Sequence, residues 1–148
     1  PNEGGALTAL EKLLKPLGFA CERLKFAEVD NLFARFGSGA PHFCFAGHTD
    51  VVPEGDPAIW SHAPFAADIA DGFIYGRGAC DMKGSVAAFA GAVIDYLKST
   101  PKLRGSISFL ITGDEEGPAL NGTVKVLEWM KANGQLPDHC RSPARRCR

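Results

Sequence analysis

The sequence predicts an α/β domain whose sheet is mostly parallel and flanked by helices. Three observations carry this. Short apolar runs of strand length alternate with longer segments of helical period. Clusters of Gly, Pro, Asn and Asp punctuate them. The residues able to do chemistry fall just after apolar runs, where ligands bind in open α/β sheets.

The elements follow in order. Leu7, Leu10, Leu13, Leu14 and Leu17 form a helical stripe that stops at Gly18, with Pro16 fraying the last turn. Phe19 to Phe26 and Asn31 to Phe36 read as two strands joined by a short acidic turn. His42 to Ala46 is a compact buried strand that ends in the polar string Gly47-His48-Thr49-Asp50. Residues 51–67 are loop-like, with Pro53, Gly55, Pro57 and Pro64. Ile69 to Tyr75 reads as a short strand or a hairpin around Asp71-Gly72. A helix is expected from Met82 to Ser99, with Val86, Phe89, Ala90, Val93 and Leu97 on one face. Gly105 to Thr112 is a central strand closed by Asp114-Glu115-Glu116. Asn121 is expected to cap a last helix that runs through Met130 and stops at Gly134.

Composition limits the function classes. At 45% hydrophobic and 22% charged, the 148 residues match an ordinary globular protein rather than a disordered or fibrous one. A net charge of -1 gives no reason to expect nucleic acid or an acidic membrane as partner. No apolar run reaches the length of a membrane-spanning helix. There is no leader-like start, and the five cysteines (Cys21, Cys44, Cys80, Cys140 and Cys147) are an odd number without Cys-x-x-Cys spacing. A reducing, cytoplasmic setting is expected. Arg141, Arg145, Arg146 and Arg148 crowd the last eight residues, which hold no acid, so residues 1–140 carry a net -5.

Three polar clusters invite chemistry: His48-x-Asp50, Asp81, and Asp114-Glu115-Glu116. Singly, each has an ordinary explanation: a hydrogen-bonded histidine, a turn aspartate, a solvated acidic loop. Together, after successive apolar elements, an imidazole and several carboxylates make a ligand set for zinc or a similar divalent ion. Adjacent glutamates allow one to bind metal while the other moves a proton. No Gly-x-Ser-x-Gly elbow is present, and Gly76-x-Gly78 is too short for a phosphate-binding loop.

As strings, the clusters resemble a known family. Phe45-Ala46-Gly47-His48-Thr49-Asp50-Val51-Val52-Pro53 is similar to the first metal motif of the zinc aminoacylase/carboxypeptidase family. Tyr75-Gly76-Arg77-Gly78-Ala79-Cys80-Asp81-Met82-Lys83-Gly84 resembles its second, and Thr112-Gly113-Asp114-Glu115-Glu116-Gly117 its third. Trp60 with Pro64-Phe65, Glu115 to Ala119, and Asn121 to Val126 resemble its bacterial N-acyl amino acid hydrolases. The likeness covers about residues 1–140.

The resemblance implies the fold of a di-zinc exopeptidase-like catalytic domain and hydrolysis of a small N-acyl amino acid, with no nucleic acid or membrane partner. It implies that His48 ligates one zinc, Asp81 bridges two, and Glu116 ligates the other. It makes Glu115 the general acid/base and gives Asp50 the task of fixing the His48 tautomer. Two Zn2+ are implied for a complete site, with Co2+ able to substitute, and a homodimer for the full-length parent. Sibling amide substrates within the family, or a metal-free module that kept only the fold, are the alternatives.

The likeness also implies departures. Family members are more than twice this length, so the sequence reads as a portion of the catalytic domain, expected to be weakly active or inactive. Residues 141–148 form a basic tail foreign to the family, with Ala144 where a further glutamate ligand belongs and Pro143 unsuited to a central strand. A frameshifted or wrongly predicted end is the expected cause, with a genuine basic tail as the alternative. With two protein ligands per metal, weak binding is expected.

Overall fold

The computed structural model describes residues 4–100 and 102–142. Helix α1 spans Ala6–Leu14 and passes into a short 3-10 turn at Lys15–Leu17, where Pro16 stands. Strands β1 (Ala20–Phe26) and β2 (Val29–Phe36) form a hairpin across Ala27-Glu28, tighter than the turn the sequence suggested. Strand β3 covers His42–His48, so the polar string after the apolar run is still strand as far as His48. The small hairpin β4 (Asp68–Ala70) and β5 (Phe73–Tyr75) turns at Asp71-Gly72, as expected. Helix α2 (Gly84–Ser99), strand β6 (Ser106–Thr112), helix α3 (Thr123–Ala132) and strand β7 (His139–Arg141) complete the described chain.

The main sheet runs β1-β2-β6-β3-β7, with β6 at its centre. The expected parallel pairing lies in β6, β3 and β7, and hairpin β1–β2 adds an antiparallel flank. Helices cover both faces. On one side Leu7, Leu10 and Leu14 of α1 and Val86, Ala90 and Val93 of α2 bury against Leu32, Phe45, Phe109 and Ile111. On the other, Val126 and Met130 of α3 pack on Phe33, Cys44 and Leu110. Cys44 is thus a core residue, 1% exposed. Phe109 is fully buried and sits between the rings of Phe19, Phe45 and Phe89.

Two boundaries differ from the sequence reading. Helix α2 begins at Gly84 rather than Met82, because Asp81 (φ -118°, ψ 96°) and Met82 (φ -136°, ψ 25°) leave helical geometry. Asn121 does not cap α3. Gly122 holds the cap position without a side-chain hydrogen bond, and the backbone of Asn121 is engaged elsewhere. The basic tail ends β7 with Arg141, and its residues 143–148 lie outside the described residues. Among the described residues, no helix is long and apolar enough to cross a membrane.

Candidate metal centre

The site forms where β3 and β6 end side by side. Their parallel register pairs His48 with Thr112, and the Thr49 amide donates to the Thr112 carbonyl at 2.9 Å. The loops that follow, at Thr49-Asp50 and Gly113 to Glu116, are therefore neighbours by construction. Asp81 reaches the same place from the turn before α2. Gly47 lets that turn approach: a Cβ there would stand 2.9 Å from Met82 Cε. Gly78, at φ +81°, would press Val51 and Lys83 if it carried one.

His48 is 3% exposed and is the hub. Its Nε2 lies 3.2 Å from Asp81 Oδ1 and 3.8 Å from Glu115 Oε2. Its Nδ1 faces the Asp50 carbonyl at 3.1 Å and Asp50 Oδ1 at 3.5 Å. A carbonyl only accepts, so Nδ1 carries the proton and donates it. In the neutral ring this leaves the Nε2 lone pair aimed at the carboxylates, the tautomer a metal ligand needs. Ligand atoms of His48, Glu115 and Glu116 all fall within 4.8 Å of one another.

Asp50 has a second task that the sequence did not reveal. Its Oδ2 accepts from the Glu115 amide at 2.9 Å and the Glu116 amide at 2.8 Å. One residue therefore orients the imidazole and also pins the backbone of both glutamates.

The electrostatics follow from this crowding. Burial of the imidazole opposes its protonation, but the hydrogen bonds it donates to Asp50 and the negative charges of Asp50 and Glu115 outweigh it, raising the His48 pKa to about 9. Burial opposes ionisation of Asp50, yet His48 and the two amides hold its carboxyl below the usual carboxylate range. Burial pushes the Lys83 ammonium down, partly offset by the Asp50 charge. A place that favours a proton on imidazole among carboxylates favours a divalent cation on the same atoms.

The five residues to which the sequence reading gave roles, His48, Asp50, Asp81, Glu115 and Glu116, thus gather at one end of the sheet. Asp81 contacts His48 directly, whereas Glu115 and Glu116 both offer oxygens to the three-residue cluster. Two further residues were missed in their roles. Asp114, 8% exposed, turns away from the cluster and accepts from the amides of Ala119 and Asn121. Asn31, fully buried in β2, donates to the Asn121 carbonyl and accepts from the Gly113 amide. An asparagine inside an apolar strand was the available signal.

This fold is shared with metallopeptidases. Residues 44–143 match the peptidase family M20/M25/M40, and the chain belongs to that family. Among its relatives are two proteins named succinyl-diaminopimelate desuccinylase. That of Afipia carboxidovorans is 60% identical over 146 residues, covering 95% of this chain and 38% of the relative. That of Parvibaculum lavamentivorans is 60% identical over 145 residues, covering 95% and 36%. The chain therefore spans little more than a third of the length of these relatives. Among solved structures, human carnosine dipeptidase 1 superposes with a TM-score of 0.77 at 26% identity, over 94% of this chain and 32% of that one. An M20 family metallo-carboxypeptidase from Sulfolobus solfataricus gives 0.74 at 24% identity, over 95% and 32%, a likeness of fold.

Proposed function

We propose that the chain carries the metal-binding part of the catalytic domain of a zinc-dependent amide hydrolase of the desuccinylase type. The reaction of the full-length parent is hydrolysis of N-succinyl-L,L-diaminopimelate to succinate and L,L-diaminopimelate, a step of lysine and diaminopimelate synthesis. The observation that carries this reading is the convergence of His48, Asp81, Glu115 and Glu116 beyond the ends of β3 and β6. The 60% identity to desuccinylases supports the choice of acyl group.

The donor set fits a divalent cation, since one imidazole nitrogen and several carboxylate oxygens approach one another within coordination reach. In this reading His48, Asp81 and Glu116 would hold the metal. The chemistry supplied by bound zinc is activation of water and polarisation of the scissile carbonyl. Glu115, its side chain 43% exposed and 3.8 Å from His48 Nε2, would accept the proton of the attacking water and return it to the leaving amine. Asp50 keeps His48 in the ligating tautomer and Glu115 in place through its backbone. Residues 1–140 are the partial catalytic domain. With two of these residues for each metal, the isolated chain binds zinc weakly and turns over little substrate. The parent is a cytoplasmic homodimer in this account.

A sibling specificity, as acetylornithine deacetylase, aminoacylase or dipeptidase, uses the same chemistry, and the carnosine dipeptidase likeness keeps the last in view. Turnover by a full-length parent decides. Faster hydrolysis of succinyl-diaminopimelate than of acetylornithine or a dipeptide is expected, and the reverse order refutes the assignment.

A further inference from the structure

We propose that Asp114 is a positioning residue: it folds the turn that presents Glu115 and Glu116 to His48, and Asn31 fastens that turn to the sheet. This rests on the metal-site reading above.

Three consecutive acids stand at the end of β6, and they do different things. Glu115 and Glu116 face the cluster, whereas the Asp114 carboxylate points inward and is 8% exposed. Its Oδ1 accepts from the Ala119 amide at 3.2 Å, its Oδ2 accepts from the Asn121 amide at 2.9 Å, and its own amide donates to Thr112 Oγ1 at 3.2 Å. The carboxylate thus draws in backbone five and seven residues further on, closing residues 114–121 around itself.

The glycines of this segment are spaced for the same purpose. A Cβ on Gly117 would lie 2.9 Å from Asp114 Oδ1. One on Gly122 would lie 2.9 Å from the Asp114 carbonyl oxygen and collide with Thr112 Oγ1. One on Gly113 would lie 2.8 Å from the Asp30 carbonyl oxygen. Each glycine stands where the turn is wrapped against Asp114 or β2 too closely for a side chain.

Asn31 closes the arrangement. Its Oδ1 accepts from the Gly113 amide at 3.4 Å, and its Nδ2 donates to the carbonyls of Asn121 at 3.0 Å and Leu24 at 3.1 Å. Both ends of the turn are therefore fixed to hairpin β1–β2. Between those ends, the amides of Glu115 and Glu116 meet Asp50. The two glutamates have little backbone freedom left, which is what low-cost metal binding requires.

The test uses the 148-residue chain, with Zn2+ titrated calorimetrically and Co2+ followed by its visible absorption. Wild type and His48→Ala set the scale. Asp114→Asn removes the carboxylate, and Gly117→Ala disturbs it without changing any charge. Both variants are expected to stay folded by circular dichroism, to lose about 10- to 100-fold in metal affinity, and to shift the Co2+ spectrum. Unchanged affinity and spectrum in folded Asp114→Asn overturn the proposal. So does a loss in Asp114→Asn with none in Gly117→Ala, which assigns the effect to charge alone. If Asp114→Asn does not fold, Gly117→Ala decides by the same criteria. If His48→Ala binds metal as well as wild type, the metal-site reading itself fails and takes this proposal with it.

Discussion

Replacing Asp50 by alanine perturbs both halves of the site at once, and the structure sets the size of the effect. The carboxylate accepts two backbone amides at 2.9 and 2.8 Å and lies 3.5 Å from the His48 ring nitrogen. A hydrogen bond to a charged group contributes roughly 1.5–3 kcal/mol. Two such bonds give a gross loss of about 3–6 kcal/mol. Water replaces part of it, because Glu115 is exposed and Glu116 half-buried. A net destabilisation of about 2–3 kcal/mol is therefore expected for Asp50→Ala, the cost left when donors are partly rehydrated. Urea unfolding followed by circular dichroism measures it as a lower midpoint with an unchanged slope. Zinc affinity should fall about 10- to 100-fold in the same variant, since the imidazole loses its orienting partner. A variant within about 0.5 kcal/mol of wild type, the range of ordinary surface substitutions, would refute the claim that Asp50 ties the glutamate turn to His48.

Other outcomes follow from the same geometry. In a full-length parent, Glu115→Gln should leave zinc content near normal and cut turnover by about 10²- to 10⁴-fold, the usual worth of a general base; equal loss of zinc and activity means that Glu115 and Glu116 have exchanged roles. Phe109→Ala should cost about 3–5 kcal/mol, read from urea midpoints, because the ring is fully buried among three others; a loss below 1 kcal/mol contradicts the assigned core. Metal-free stability should fall on both sides of pH 6.5. Burial and the nearby Arg35 charge push His42 below 6.5, against weaker upward pulls from the Leu136 carbonyl and the Asp138 charge, so acidification charges the unfolded chain first and weakens the fold. His48 acts in reverse: its contribution is complete below 6.5 and is lost as pH rises toward about 9. Thermal melts of His42→Asn and His48→Ala should each flatten their own limb, and a flat wild-type profile across both limbs contradicts these environments.

Much of the fold was legible because burial leaves a period in the sequence. The leucines of α1 and the apolar runs of β3 and β6 state which face is covered, and the structure buries Leu7, Leu10 and Leu14 with those strands but leaves Leu13, expected in the same stripe, exposed. Candidate site residues at the ends of such strands are legible too, since a histidine or a diglutamate directly after an apolar run breaks the apolar pattern. What stayed hidden was whatever depends on partners far apart in sequence. Asp50 was read as a neighbour of His48, but its bonds to Glu115 and Glu116 span more than sixty residues. Asn121 looked like a helix cap because Asn prefers that position, yet its backbone is engaged by Asp114 and Asn31. The start of α2 was misplaced because Met82 continues the apolar stripe of Val86 and Ala90, while the backbone of Asp81 and Met82 is held out of helix. Local preference loses wherever the site needs a particular geometry.

Anomalous diffraction at the zinc edge from crystals of the 148-residue chain grown with Zn2+ tests the central claim most directly. The account predicts a peak about 2.0–2.1 Å from His48 Nε2, with a carboxylate oxygen of Asp81 or Glu116 completing the contact at about 2.0–2.2 Å. Zinc found only elsewhere on the molecule, with His48 still turned to Asp81 as an unmetallated pair, would contradict it.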